Sequence, residues 1–460
     1  MHLTDLFARA RALRHVGAAL AVGCALSPST AGASGLPGAQ QQPALDVTRP
    51  IELEDAIRYA LRAQPTLAIA GSQVGAARSR VTQALSRYFP QIGPSYEYSS
   101  RLTTFSTGSG TRTGVVESAV AQVGLRQVVF DSGKREEGVA QAKHLQRASE
   151  HSLLDTRQDV VLNVTSAYYE VLRRQELVRV AEASVERART TLEATRAAVE
   201  AGTERAIDVL QAQADLENAT VNLSQARNDV RLAQASLRNA MGIVAPVQVM
   251  VAASSLPAPS AEPEPRTAAE FIRLATDNRE DLKATRASIL ATKRSVRIAN
   301  IEAGLQVEAD VTEGYRIDPD PGENRTFTTT FTYPLFDAGL TRARVRETKA
   351  SLEQAERQYE LALQNLTLEV EQAYLLREEA RLRIAATAAA ARAARSNYEA
   401  ARESQKEGSG DVIAVITAQT QLVTAETNAV QALYDFHMAD ARLQRAIGAN
   451  DRYRTEGNKP

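Results

Sequence analysis

Val129-Phe130-Asp131-Ser132-Gly133 and Pro334-Leu335-Phe336-Asp337-Ala338-Gly339 are two versions of one motif in a chain of 460 residues. Their aspartates lie 337 − 131 = 206 positions apart, and the same spacing holds for the residues downstream of them. Ala167-Tyr168 returns as Ala373-Tyr374, Gly202 as Gly408, Ala212-Gln213 as Ala418-Gln419, Gln225-Ala226 as Gln431-Ala432, Asp229 as Asp435 and Gly242 as Gly448. Upstream, Ile57-Arg58 matches Ile272-Arg273 at an offset of 215, so the second copy is nine residues shorter (215 − 206) somewhere between Ile92 and Phe130. Self-similarity at a fixed offset marks a duplicated structural unit. The chain therefore reads as repeat 1 (51–242), a Pro-containing linker (243–266) and repeat 2 (267–448), with a tail at 449–460.

Each repeat is mainly helical. No proline interrupts Gly133 to Glu200, where Val164, Val171, Val178, Val185, Leu192 and Val199 recur seven apart. A seven-residue apolar repeat implies helices packed side by side. In the next stretch, Val209, Leu216, Leu223, Val230 and Leu237 share one heptad position and Ala212, Ala219, Ala226, Ala233 and Ala240 the other. The second repeat carries Ala418, Ala425, Ala432, Ala439 and Ala446. These patterns predict long helices at about 133–200 and 339–406 with return helices at about 205–241 and 411–447. Shorter helices at about 66–89 and 281–303, laid end to end with the return helices, nearly match the long ones in height at about 1.5 Å per residue. Before each long helix the period changes to two. Leu305, Val307, Ala309 and Val311 alternate with Gln306, Glu308, Asp310 and Thr312, and Phe327, Phe331, Tyr333 and Leu335 with threonines. Strands are predicted at about 92–105, 116–130, 305–317 and 325–336, with Gly108–Gly114 as an external turn.

Runs of nine to eleven alternating residues suit strands crossing an outer membrane, and a soluble hairpin packed on helices fits the alternation as well. A bilayer tolerates no open sheet edge, and four strands do not close a barrel. Membrane strands would thus require several chains to share one wall.

Composition narrows the function. Lys and Arg total 54 against 55 Asp and Glu, which leaves no basic surplus for nucleic acid. One Cys excludes a disulfide framework and a Cys-based zinc site. His144 and His151 lie seven apart with no carboxylate–His pair at metal spacing, and no activated Ser or Cys nucleophile is evident. Neither cofactor nor enzyme activity is expected. Residues 1–33 read as an export signal: Arg9, Arg11, Arg14 and His15 precede an apolar stretch, Val16–Leu26, too short to span a membrane. Cleavage at Ala31-Gly32-Ala33 and lipidation at Cys24 within Ala21-Val22-Gly23-Cys24 both stay open; residues 34–50 read as a flexible lead-in.

Taken together the two halves, the Phe-Asp-x-Gly junctions and the tip segments Gly202-Thr203-Glu204-Arg205-Ala206-Ile207-Asp208-Val209-Leu210 and Gly408-Ser409-Gly410-Asp411-Val412-Ile413 resemble the TolC-type outer-membrane efflux family over about residues 51–448. The resemblance implies a homotrimer in which a 12-stranded β-barrel, set in outer-membrane lipid, continues into a periplasmic α-barrel. It implies passive export, driven by an inner-membrane transporter through a periplasmic adaptor (membrane fusion) protein, in an efflux or type I secretion system. It places adaptor contact and a gate at Gly202, Thr203, Glu204, Arg205, Asp208, Gly408, Ser409 and Asp411. Thr203 and Ser409 are expected as N-caps. Asp208 matches the family's entrance aspartate, while the second repeat has Ala414 there; neutralising Asp208 is expected to weaken cation preference. The competing reading is an exported periplasmic coiled-coil scaffold without channel activity.

Overall fold

The computed structural model describes residues 49–107, 110–245, 249–252, 266–318, 320–407 and 409–449. The export signal with Cys24, most of the linker, Gly408 and the tail after Ala449 lie outside the described residues. Repeat 1 comprises α1 (Leu53–Ala63), α2 (Pro65–Ser86), β1 (Gln91–Thr107), β2 (Gly110–Phe130), α3 (Lys134–Glu200) and α4 (Ala206–Met241). Repeat 2 comprises α5 (Ala268–Asn278), α6 (Glu280–Ile301), β3 (Gln306–Asp318), β4 (Gly322–Thr332), α7 (Leu340–Lys406) and α8 (Val412–Ala446). The starts of α1 and α5 differ by 268 − 53 = 215 and those of α3 and α7 by 340 − 134 = 206. The nine-residue difference therefore falls in the hairpins, where β1 and β2 are 17 and 21 residues long against 13 and 11 for β3 and β4.

Three boundaries depart from the sequence expectation. The strand expected at 116 begins at Gly110, so much of the expected turn is ladder. Threonines suit a pleated surface, and the Thr104 and Thr113 hydroxyls meet across the strands at 3.2 Å. The strand expected to reach 336 stops at Thr332, because Pro334 has no N–H for a ladder. The helices α1 and α5 lie ahead of the expected short helices and are separated from them by single residues, Gln64 and Arg279. Pro65 starts α2 where the missing N–H costs nothing.

The short helices stack as the length arithmetic required. Gln64 Nε2 donates to the Ala240 carbonyl at 3.0 Å, which caps the last turn of α4 from the α1–α2 joint. Gly242 follows at φ 77°, and a Cβ there would stand 2.9 Å from the Gln64 Cα. Only glycine combines that backbone with that approach. Gly448, at φ 69°, abuts Asn278 and Arg279 in the same way below α6.

Four columns result. The long helix α3 packs against α2 and α4 on one side and α6 and α8 on the other, and α7 packs against α6 and α8. The strands form one antiparallel sheet in the order β1-β2-β3-β4, which follows the order of the columns that carry them. A belt crosses mid-height. Ile51 and Val251 form a parallel bridge, and the Tyr168 hydroxyl donates to the Ile51 carbonyl at 3.2 Å. Burial pushes that phenol up to about 12.

Candidate functional site

The sheet register sorts the strand side chains into two unlike faces. Between the irregularities at 119/120 and 128/130, Ile92, Leu125, Val311 and Phe327 fall in one row. Tyr96, Ala121, Tyr315 and Glu323 fall in another on the same face, and Tyr98, Leu102, Val115, Val123 and Phe331 join them. The other face presents Ser95, Glu97, Ser99, Arg101, Gln122, Arg126, Glu308, Asp310, Thr312, Thr326, Thr328 and Thr330. Each face has exceptions. Val116 and Val120 stand on the polar face, and the Glu313–Arg325 pair at 2.7 Å stands on the apolar one.

Among the described residues no helix covers the apolar face: Phe327 is 72 % exposed, Phe331 69 % and Ile92 67 %. A soluble hairpin on helices would have buried these rings. On the polar face Arg126 bridges Glu308 at 3.1 Å and Asp310 at 2.9 Å. Beyond them β1 and β4 end the sheet with unpaired edges.

The recurring motif forms the joint between strand and long helix. Ser132 (φ 58°) and Gly133 (φ 92°), and Ala338 (φ 51°) and Gly339 (φ 85°), turn the chain through consecutive left-handed residues. Such a conformation at Ser or Ala costs about 1–2 kcal/mol. The aspartates hold it. Asp131 accepts from the Gly133 and Arg135 amides at 3.3 and 3.0 Å, and Asp337 from the Gly339 and Thr341 amides at 3.0 and 2.8 Å. Those donors are orphan N–H groups at a helix start; the Thr341 side chain, with the Thr341 and Gly339 amides, holds the Asp337 carboxyl below the usual carboxylate range.

At the far end each tip closes by the same local device. The Thr203 amide and hydroxyl both donate to the Ala198 carbonyl at 2.9 Å, and Gly202 takes φ 77°. The Ser409 amide and hydroxyl donate to Ser404 at 3.0 and 3.1 Å. Thr203 and Ser409 thus close the incoming helices and are not the expected N-caps; each hydroxyl meets a free carbonyl before it reaches the next helix. The N-caps are Arg205 and Asp411. Asp411 Oδ1 accepts from Ile413 N at 3.3 Å.

Asp208 reaches back instead of outward. It accepts from the Arg205 amide at 3.1 Å and from its guanidinium at 3.0 and 3.1 Å. It is 5 % exposed, and Arg205 holds its carboxyl below the usual range. Glu204 accepts from Gln405 at 3.1 Å. Of the expected tip acids, Asp411 stays exposed.

Further cross-links between the halves lack a local sequence signal. Glu426, which also pairs with Arg395 of its own repeat at 2.7 Å, meets Arg187 at 3.1 Å, and Gln419 donates to Asp215 at 2.9 Å. Burial pushes the Asp215 carboxyl up and the Gln419 amide pulls it down. Higher up, the buried Arg445 grips Asp155 at 2.6 Å and Asp159 at 2.7 Å, and Arg294 meets Glu137 at 3.1 Å. One signal was readable: Leu361, Leu368, Leu375 and Leu382 stand seven apart on α7, all at least half exposed.

The profile of the outer membrane efflux protein family matches residues 56–243 and 271–449. The outer membrane efflux protein BepC of Brucella suis is 26 % identical over 382 residues, 80 % of this chain and 79 % of that protein. Outer membrane protein TolC of Escherichia coli is 23 % identical over 408 residues, 84 % of this chain and 79 % of that protein. The solved CmeC outer membrane channel of Campylobacter jejuni has the same fold, with a TM-score of 0.74 at 17 % identity over 86 % of this chain and 85 % of that one.

Proposed function

This chain belongs to the outer membrane efflux protein family, and from that premise we propose that three copies close one wall around a passive export duct. The protein is an efflux channel of the outer membrane that extends into the periplasm. The observation that carries the closed-wall reading is the sheet: one apolar face left bare, one polar face, two open edges. Hydrocarbon satisfies a bare apolar face and rejects open edges. Copies must therefore pair β4 to β1 until the wall closes. Three copies of four strands make twelve, within the range of closed outer-membrane barrels. The hydroxyl-rich face then lines a wet exit.

The columns below continue the duct towards the periplasm. At its foot the tips, with Arg205, Asp208, Ser409 and Asp411, meet the periplasmic adaptor, and an inner-membrane transporter supplies the energy. Cargo is set by that transporter. Asp208 acts on the shape of the tip through Arg205, and Asp411 presents the exposed carboxylate at the entrance.

Purified protein in detergent tests this. The expected result is a trimer by mass, heat-modifiable migration on gels and current across a planar bilayer. A trimer recovered in the aqueous periplasmic fraction without current would favour the scaffold.

A further inference from the structure

Where α4 of the first repeat meets α8 of the second, one side-chain pair is only half bonded. Gln419 on α8 is 2 % exposed, and its Nε2 donates to Asp215 Oδ2 on α4 at 2.9 Å. The other atom of the same amide, Oε1, is buried and meets no donor among the described residues. Buried polar atoms nearly always find a partner, so this oxygen calls for one. An ionised carboxylate only accepts; it serves the amide nitrogen and never the amide oxygen.

A protonated carboxyl serves both. Carboxylic acid and primary amide are planar forks of like span. The acid's carbonyl oxygen accepts from Nε2 while its hydroxyl donates to Oε1. The surroundings favour that species. Asp215 is flanked along α4 by the buried Ala212 and Ala219, and Gln419 along α8 by the buried Val415, Ala418 and Leu422. Burial disfavours the charged form and raises the carboxyl, and the Gln419 amide offsets part of that rise. The charged groups that the surrounding helices carry near this pair are wet or engaged elsewhere. Arg189, Glu193 and Arg196 of α3, Glu217 of α4, and Glu399 and Arg402 of α7 are exposed. Arg187 and Arg395 hold Glu426, and Arg205 holds Asp208.

We propose that Asp215 and Gln419 form an acid-responsive joint between the repeats, in which the Asp215 carboxyl takes up a proton from solvent and donates it in a hydrogen bond to Gln419 Oε1. One proton is bound, no covalent bond between heavy atoms changes, and one buried oxygen gains its donor. Both residues belong to one chain, so the joint does not depend on how copies assemble. Its contribution is full below the ordinary carboxylate value and is lost as pH rises through the raised folded value. The two repeats are therefore held together more firmly here in acid than at neutral pH.

Asp215→Asn in the purified protein tests this, because an Asn–Gln pair makes both hydrogen bonds at every pH. Melting followed by circular dichroism is compared with wild type from about pH 7.5 down to about pH 4. The variant should melt about 1–2 °C above wild type at the neutral end. The gap should close at the acid end, where losses at other carboxylates affect both proteins alike. A gap that stays constant, or a variant that melts below wild type at neutral pH, would overturn the proposal. Infrared difference spectra between the two pH values give a second reading. Wild type should show a carboxylic-acid carbonyl band that Asp215→Asn lacks and that moves to higher wavenumber in Gln419→Met. If Asp215→Asn loses no band, Asp215 stays ionised; if the band is unmoved in Gln419→Met, the proton is not given to Gln419. Either result would sink the joint.

Discussion

The helices α3 and α7 are both 67 residues long and descend from the same motif, yet fourteen side chains of α3 are buried and five of α7. The difference is position. α3 has helical columns on both sides, whereas α7 has them on one. Where α3 carries Asp155 for Arg445, α7 carries Leu361, and the heptad continues through Leu368, Leu375 and Leu382 in the open. Burying one leucine contributes about 1.5–3 kcal/mol, so four along one seam suffice to hold a neighbour. One helix is finished inside its own chain; the other, in the proposed ring, is finished by a copy.

That contrast breaks first under charge. Leu368→Glu with Leu375→Glu on α7 is expected to abolish the trimer while helix content by circular dichroism stays unchanged. The matching change on α3, at Leu162 and Tyr169, is expected to unfold the chain itself. If both double variants stay assembled, the two helices do not differ as described.

Next comes the clamp between the repeats. Arg445→Ala leaves the partly exposed Asp155 without the guanidinium that grips it, which is expected to cost about 1–3 kcal/mol in urea unfolding. Its repeat equivalent, Asn239→Ala, should stay within about 0.5 kcal/mol. Equal losses at the two positions would remove the distinction between an ionic contact inside the chain and its neutral repeat equivalent.

The tips give smaller effects. Asp411→Asn is expected to shift the reversal potential in a salt gradient away from cations more than Asp208→Asn does, because Asp208 is committed to Arg205. Asp208→Asn should instead raise proteolytic nicking at 201–205. The smallest effect is on pH. The Asp208 carboxyl sits below its ordinary value in the folded tip. Its contribution is therefore present above the ordinary carboxylate range and is lost as pH falls through the depressed folded value. Wild-type nicking at this tip is expected to rise in that acid range and to approach the Asp208→Asn rate.

Much of this architecture can be read without coordinates, because duplication and heptads are long-range regularities that survive local noise. The offsets of 206 and 215, the four strands and the stacked columns all follow from residue spacing. The caps do not. Whether Thr203 serves the helix behind it or the one ahead depends on which free group its hydroxyl meets, and here it is the Ala198 carbonyl. The sequence matches Asp208 to an entrance aspartate and gives no sign that Arg205 folds over it. The bonds between halves, such as Gln419 to Asp215 across 204 positions, join residues with no local pattern in common. The exposed leucines of α7 stand at heptad spacing, but no described residue of the chain covers them.

Spin labels walked along β3 from Val307 to Arg316 in reconstituted protein test the central claim most directly. Labels at odd positions should be quenched by lipid-soluble oxygen and labels at even positions by a water-soluble nickel complex, with a period of two. Strong nickel quenching on both sets would show that both faces are wet, and the sheet could not be a membrane wall.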